Sequence, residues 1–433
     1  MFRSSFYDNS FFTALIALSG FVMVASGQTQ WQKYHGNPVL SPVPQNGIIG
    51  YSDPALLFDG VTLHLWITGG GFVPGDMTAG VRTYYYTSKN GFSWQPHPSN
   101  PVFREGIAGT WDSGHIETPS VIVSGEEFWL YYAATPDSSP DDGTRLKIGQ
   151  AKSLDGSTWQ RHPANPILER GALGSWEERW IESPCVLKTD SLFYMWYSGI
   201  DAEWRIHVGL ATSADGIIWQ KHPANPVFSP TRGSEWDSVG VYAPQVRRLE
   251  NHFIMLYTGI VFSETGYDFA NARTGMAVSE DGLRWTRVSN EPVFHGTPDA
   301  WDASGAFTLD WIKYENQLLM VYVSDGHVGM ATSPIPSNVE SESKQPDKPI
   351  LFQNYPNPFN PETTIEYSVR EACEVRLDVY DIAGREVATL VNDFYQPGFF
   401  KVSFDAGTLA SGVYFYRIRM KDFTAVKKMV FLQ

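Results

Sequence analysis

Trp31-Gln-Lys-Tyr-His-Gly-Asn-Pro-Val39 is a phrase that this chain says five times. It returns as Trp94-Gln-Pro-His-Pro-Ser-Asn-Pro-Val102, Trp159-Gln-Arg-His-Pro-Ala-Asn-Pro-Ile167 and Trp219-Gln-Lys-His-Pro-Ala-Asn-Pro-Val227. A looser copy runs Trp285-Thr-Arg-Val-Ser-Asn-Glu-Pro-Val293. The copies lie roughly sixty residues apart, the span of one large repeat, so the repeat is the structural unit. Residues shared by every copy serve packing or turns, and a site for a single ligand must lie where the copies differ.

Around each phrase the same items recur in order. A Trp-acid pair (Trp111-Asp112, Trp176-Glu177, Trp236-Asp237) precedes a first strand such as Glu117-Thr-Pro-Ser-Val-Ile122. An aromatic alternating run follows, as in Phe128-Trp-Leu-Tyr-Tyr132, then a small apolar run such as Val208-Gly-Leu-Ala211. A turn built on Asp-Gly or Asn-Gly leads to the phrase, whose Trp opens the fourth strand. Four strands in each of five units predict an all-β chain with a five-bladed β-propeller over 28–333. The run ending at Ser333 lacks a fourth strand, and Trp31 lacks a third. The N-terminal strand is therefore expected to complete the last blade.

The flanks read differently. Residues 1–27 have the form of a secretory signal: Arg3, an apolar run from Phe11 to Ala25, and small residues at the cut. That run is too short and too interrupted for a membrane span. Residues 334–349 are a Pro/Ser/Glu-rich linker. Residues 350–433 carry alternating strands with glycines at the turns, a small Ig-like β-sandwich. Net charge −15 argues against nucleic acid as partner. Cys185 and Cys373 fall in different domains, which argues against a structural disulfide, and no metal ligand set or cofactor motif is legible.

His97, His162 and His222 occupy one repeat position and read as structural, as do the acids of the Trp-acid pairs, expected to tie down the start of the first strand. What breaks the repeat is the start of the innermost strand: Asp53-Pro54, Glu117-Thr-Pro119, Glu182-Ser-Pro184, Tyr242-Ala-Pro244 and Phe307-Thr-Leu309. Innermost strands line the central channel, so three adjacent blades aim carboxylates at its mouth and two offer aromatic rings. Paired carboxylates with stacking rings are what glycoside hydrolysis needs. Asp53 stands one residue out of phase with the glutamates, so regular alternation would turn it away, and a local bulge or a strand entered at a different angle would restore it. Arg82, Arg145, Arg205 and Arg273 recur near the third strands. They are candidates for holding substrate, or for neutralising the carboxylates.

On these residues the chain resembles the five-bladed propeller glycosidases of families 43, 32 and 68. The resemblance implies Asp53 as base or nucleophile and Glu182 as proton donor. Glu117 takes the middle position, where the family usually has an Asp-Pro aspartate that tunes the acid and grips substrate. Tyr242, Phe307, Arg82, Arg145 and Arg205 are the expected substrate contacts, and a carbohydrate the expected partner. Water attack assisted by Asp53 would invert the anomeric centre; direct attack would retain it. A glycan-binding propeller without turnover and a phosphorylase like family 130 are the alternatives. Asn354-Tyr-Pro-Asn-Pro-Phe-Asn-Pro361, Asp381-Ile-Ala-Gly-Arg-Glu-Val387, Ser411-Gly-Val-Tyr-Phe-Tyr416 and Lys427-Lys-Met-Val-Phe431 resemble the C-terminal sorting domain of the type IX secretion system. That implies the secretion machinery as partner and a secreted or cell-surface protein.

Overall fold

The computed structural model describes residues 31–432 except 45–46, 71–79, 137–145, 190–191, 250–251, 265, 269–270, 336–347 and 355–356. The chain divides into two compact units, 1–336 and 337–433. The expected signal segment lies outside the described residues. So does Arg145.

The first unit is a five-bladed propeller. Its innermost strands are Gly50–Phe58, Ile116–Ser124, Ile181–Lys188, Gly240–Leu249 and Thr308–Tyr314. In each blade two long antiparallel strands follow and a two-residue fourth strand ends it. The fifth blade takes its outer strand, Gln32–Lys33, from the start of the chain, pairing Gln32 with Thr332 and Lys33 with Ala331. Ring closure thus follows the expectation from the unpaired ends.

The repeated phrase earns its constancy at its asparagine. Asn100 accepts from the Tyr85 amide at 2.8 Å and donates to the Tyr85 carbonyl at 2.9 Å. Asn37, Asn165 and Asn225 do the same to Met330, Gln150 and Leu210. The side-chain amide stands in for a peptide group where the fourth strand is too short to continue the ladder. The histidines accept locally through Nδ1, from the amides of Ser99, Ala164 and Ala224. Asp155, Asp215 and Asp281 each accept two turn amides. All of these are turn and ladder roles.

The acids of the Trp-acid pairs do a job other than the expected one. Asp112, Glu177, Asp237 and Asp302 are buried, and each meets the cation of its own blade's outer strand. The contacts are Arg161 Nε at 2.6 Å, Lys221 Nζ at 2.7 Å, Arg287 Nη2 at 3.1 Å and Lys33 Nζ at 2.6 Å. They clamp the outermost strand. Blade one has Pro96 where the others have a cation and lacks a Trp-acid pair, so both halves of the clamp are missing together.

The second unit packs a three-stranded sheet (Ile350–Leu351, Glu362–Val369, Gly398–Asp405) on a four-stranded one (Glu386–Tyr395, Cys373–Tyr380, Gly412–Met420, Phe423–Phe431). Its own core includes Phe359, Ile365, Leu377, Tyr416 and Phe431. Cys185 and Cys373 are free and buried, one in each unit.

Candidate active site

Four innermost strands share a bulge at the residue before their proline. Asp53, Thr118, Ser183 and Ala243 have φ of 47°, 51°, 51° and 49°. The pairing register jumps there, for example from Ser52–Thr68 to Pro54–Ile67. Side chains other than glycine resist this left-handed backbone, at a cost on the order of 1–3 kcal/mol each. What holds it is a ring of bonds between blades. The amides of Thr118, Ser183 and Ala243 donate to Thr68, Thr118 and Ser198 hydroxyls, and the Asp53 amide donates to Thr308 Oγ1 at 2.8 Å. Thr258 Oγ1 donates to the Phe307 carbonyl, completing the circuit. Blade five has Leu309 in place of proline and a regular register.

The bulge resolves the phase problem posed by the sequence. Glu117, Glu182 and Tyr242 precede the bulged residue, whereas Asp53 is the bulged residue itself. Glu182 reaches the Tyr242 hydroxyl directly, and the charges of Asp53 and Glu117 are felt there as well. The Tyr242 phenol is raised well above its ordinary range, first by burial, then by the negative charges of Glu182 and Asp53, and less by Glu117. Three carboxylates therefore act on one hydroxyl. Between the bulged strands lies a space of ≈ 10 Å³, room for about one water, lined by Asp53, Thr118, Ser183, Ala243 and Thr308.

Asp53 keeps part of its surface open to the mouth. Burial still pushes its carboxyl up to about 6, against hydrogen bonds from Ser52 (Oγ to Oδ2, 2.8 Å) and Thr68 and from the Thr118 amide. Glu182 is 9% exposed and held at both oxygens: Trp180 Nε1 donates to Oε1 at 2.7 Å and the Tyr242 hydroxyl to Oε2 at 3.2 Å. Glu117 lines a separate lobe of the mouth, a cleft of ≈ 410 Å³ shared with Ser52, Thr68 and Asp325.

The expected substrate contacts fare unevenly. Tyr242 is buried, its ring stacks on the half-buried Phe307 at 5.8 Å and its hydroxyl holds Glu182, so Tyr242 braces that carboxylate rather than offering an open face. Arg82 grips Glu105 through two bonds, 2.8 and 2.6 Å. Arg205 is exposed beside the mouth, in the turn capped by Asp201. Three residues that the repeat comparison passed over stand near the donor: Trp180, Trp204 and Tyr267. Trp180 shares a strand face with Glu182 two residues on, a signal that alternation carries. Trp204 and Tyr267 belong to segments with no counterpart in the other blades, where repeats are silent.

Residues 353–432 match the family model of the secretion system C-terminal sorting domain, and residues 202–297 that of β-1,4-mannooligosaccharide phosphorylase. An uncharacterized protein of Mycobacterium tuberculosis is 27% identical over 237 residues, 53% of this chain and 74% of its own length. Among solved structures, a glycosyl hydrolase from Bacteroides ovatus superposes with a TM-score of 0.55 at 19% identity, covering 71% of this chain and 96% of that one. β-1,2-Mannobiose phosphorylase from Listeria innocua gives 0.54 at 14% identity, covering 72% and 98%. A thermostable family-43 glycoside hydrolase gives 0.52 at 17%, covering 67% and 91%. The propeller therefore has the fold of carbohydrate-active enzymes. The C-terminal sorting domain marks the chain for type IX export to the cell surface or beyond it.

Proposed function

We propose that the exported propeller hydrolyses a glycosidic bond at the channel mouth, where the innermost strands present Asp53, Glu117 and Glu182. The observation that carries this is Glu182 held by Trp180 and by the Tyr242 hydroxyl, on which the charges of Asp53 and Glu117 also act, with burial raising the Asp53 carboxyl to about 6. A carboxyl of that strength is mostly ionised at pH 7 yet still basic enough to take a proton from water. In this reading Asp53 is the base or nucleophile, and Glu182, fixed by Trp180 and Tyr242, delivers the proton to the leaving oxygen. Glu117, one lobe away, binds and tunes. The sorting domain hands the protein to the type IX machinery, and a glycan outside the cell is the partner.

Phosphorolysis is the second reading, favoured by the match of 202–297 to a phosphorylase family. It needs cations to hold phosphate at the mouth. Arg205, exposed in the turn after Ile200, is one described candidate, and Arg82, which grips Glu105, is another. The phosphorylase family model and the Listeria enzyme both name β-mannosides, so β-mannooligosaccharides are the first substrates to try. Turnover in phosphate-free buffer yielding free reducing sugar is expected. Turnover only with added phosphate, yielding a sugar 1-phosphate, would replace hydrolysis by phosphorolysis.

A further inference from the structure

The indole of Trp204 is 39% exposed in a unit whose other large rings are mostly buried. It sits in the turn between Phe193–Ile200 and Ile206–Ser213, at the same end of blade three as Glu182. Its backbone is left-handed, with φ of 62°, a conformation that a bulky residue adopts only under constraint. The constraint is visible. The Arg179 guanidinium lies 3.9 Å from the ring centroid and covers one face, while Arg179 Nη2 donates to the Ala202 carbonyl. The Tyr267 hydroxyl donates to the Trp204 carbonyl at 2.6 Å. Trp180 meets the ring edge-on, with centroids 5.4 Å apart, and the same Trp180 donates to Glu182. A strained, braced ring with an open surface, two side chains from the proton donor, is the build of a ligand platform rather than of a packing residue.

Resting on the glycosidase reading above, we propose that Trp204 is the stacking platform for the sugar on the leaving-group side of the cleaved bond. The proton donor delivers to the leaving oxygen, so what is anchored to the donor flanks the leaving group. An indole face fits the C–H face of a sugar ring, and Arg179 occupies the opposite face. The preferred substrates are therefore oligosaccharides, or the end of a chain, over glycosides of small alcohols.

The test compares the intact mature chain with Trp204→Ala and Trp204→Phe. The substrates are β-1,4-mannotriose, β-1,2-mannotriose, β-1,4-xylotriose and the matching aryl glycosides. The ratio of kcat/KM on the oligosaccharide to that on the aryl glycoside should fall about tenfold or more in Trp204→Ala and largely recover in Trp204→Phe. A ratio unchanged in Trp204→Ala overturns the platform while leaving the hydrolase reading intact. If the unaltered chain turns over nothing, calorimetric binding of the same trisaccharides decides. Binding lost in Trp204→Ala supports the platform although hydrolysis has failed; binding indifferent to Trp204, or absent, overturns it.

Discussion

Asp53 sits where its own chemistry resists it, on a left-handed backbone and with its carboxylate drawn away from water. A carboxyl raised to about 6 from an ordinary 3.8 binds more protons folded than unfolded between those values. Stability is therefore lost as pH rises through that window, by on the order of 2–3 kcal/mol at pH 7. Asp53→Asn removes that cost and suits the left-handed backbone. It should melt higher than the parent at pH 7 while losing about a hundred- to ten-thousand-fold in turnover. In the parent, kcat/KM should rise with pH through an acid limb near 6. Ser52→Ala takes away a donor that favours the charged form, so the limb should move upward by about half a unit to one unit. A limb that stays in place would remove Asp53 from the role of base. The Asp-Pro and Glu-x-Pro pairs were visible in the sequence. The phase offset of Asp53 suggested a bulge there, but nothing marked the same bulge in the other three blades, because glycine is the usual mark of positive φ and here Asp, Thr, Ser and Ala occupy it.

Among elements, the outer strands are the weak points, each only two residues long, and the buried clamps compensate for them. The clamp partners are legible in sequence once read together. Arg161, Lys221, Arg287 and Lys33 share one position of the phrase, and blade one lacks both cation and acid. Taken singly, each acid looks like a tie for the nearest strand, which is why the expectation fell on the wrong strand. Lys33 carries the most, since it also fastens the N-terminal strand that closes the ring. Lys33→Met leaves Asp302, 2% exposed, without its cation, a loss of about 2–4 kcal/mol after allowing for the part-exposed lysine. Calorimetry should show a melting point several degrees lower, partly restored by the further change Asp302→Leu. An unchanged melting point would mean that the ring closes without this clamp.

For the whole molecule, repetition made the propeller readable, and the same repetition hid Trp204 and Tyr267, which come from segments present once. Each unit has its own core, which predicts that a chain ending at 336 folds and keeps its turnover when purified while losing surface delivery in a host with type IX secretion. Normal folding with lost turnover would show that the second unit helps to build the site. The central claim is that inner-strand carboxylates do the chemistry, and Glu182→Gln tests it most directly, since it keeps the shape and removes the transferable proton. The measurement is kcat/KM in phosphate-free buffer on an oligosaccharide and on an aryl glycoside with a good leaving group. A loss of about a hundred- to ten-thousand-fold on the oligosaccharide, with a much smaller loss on the aryl glycoside, is the predicted result. Full activity on both would contradict it and place the chemistry elsewhere.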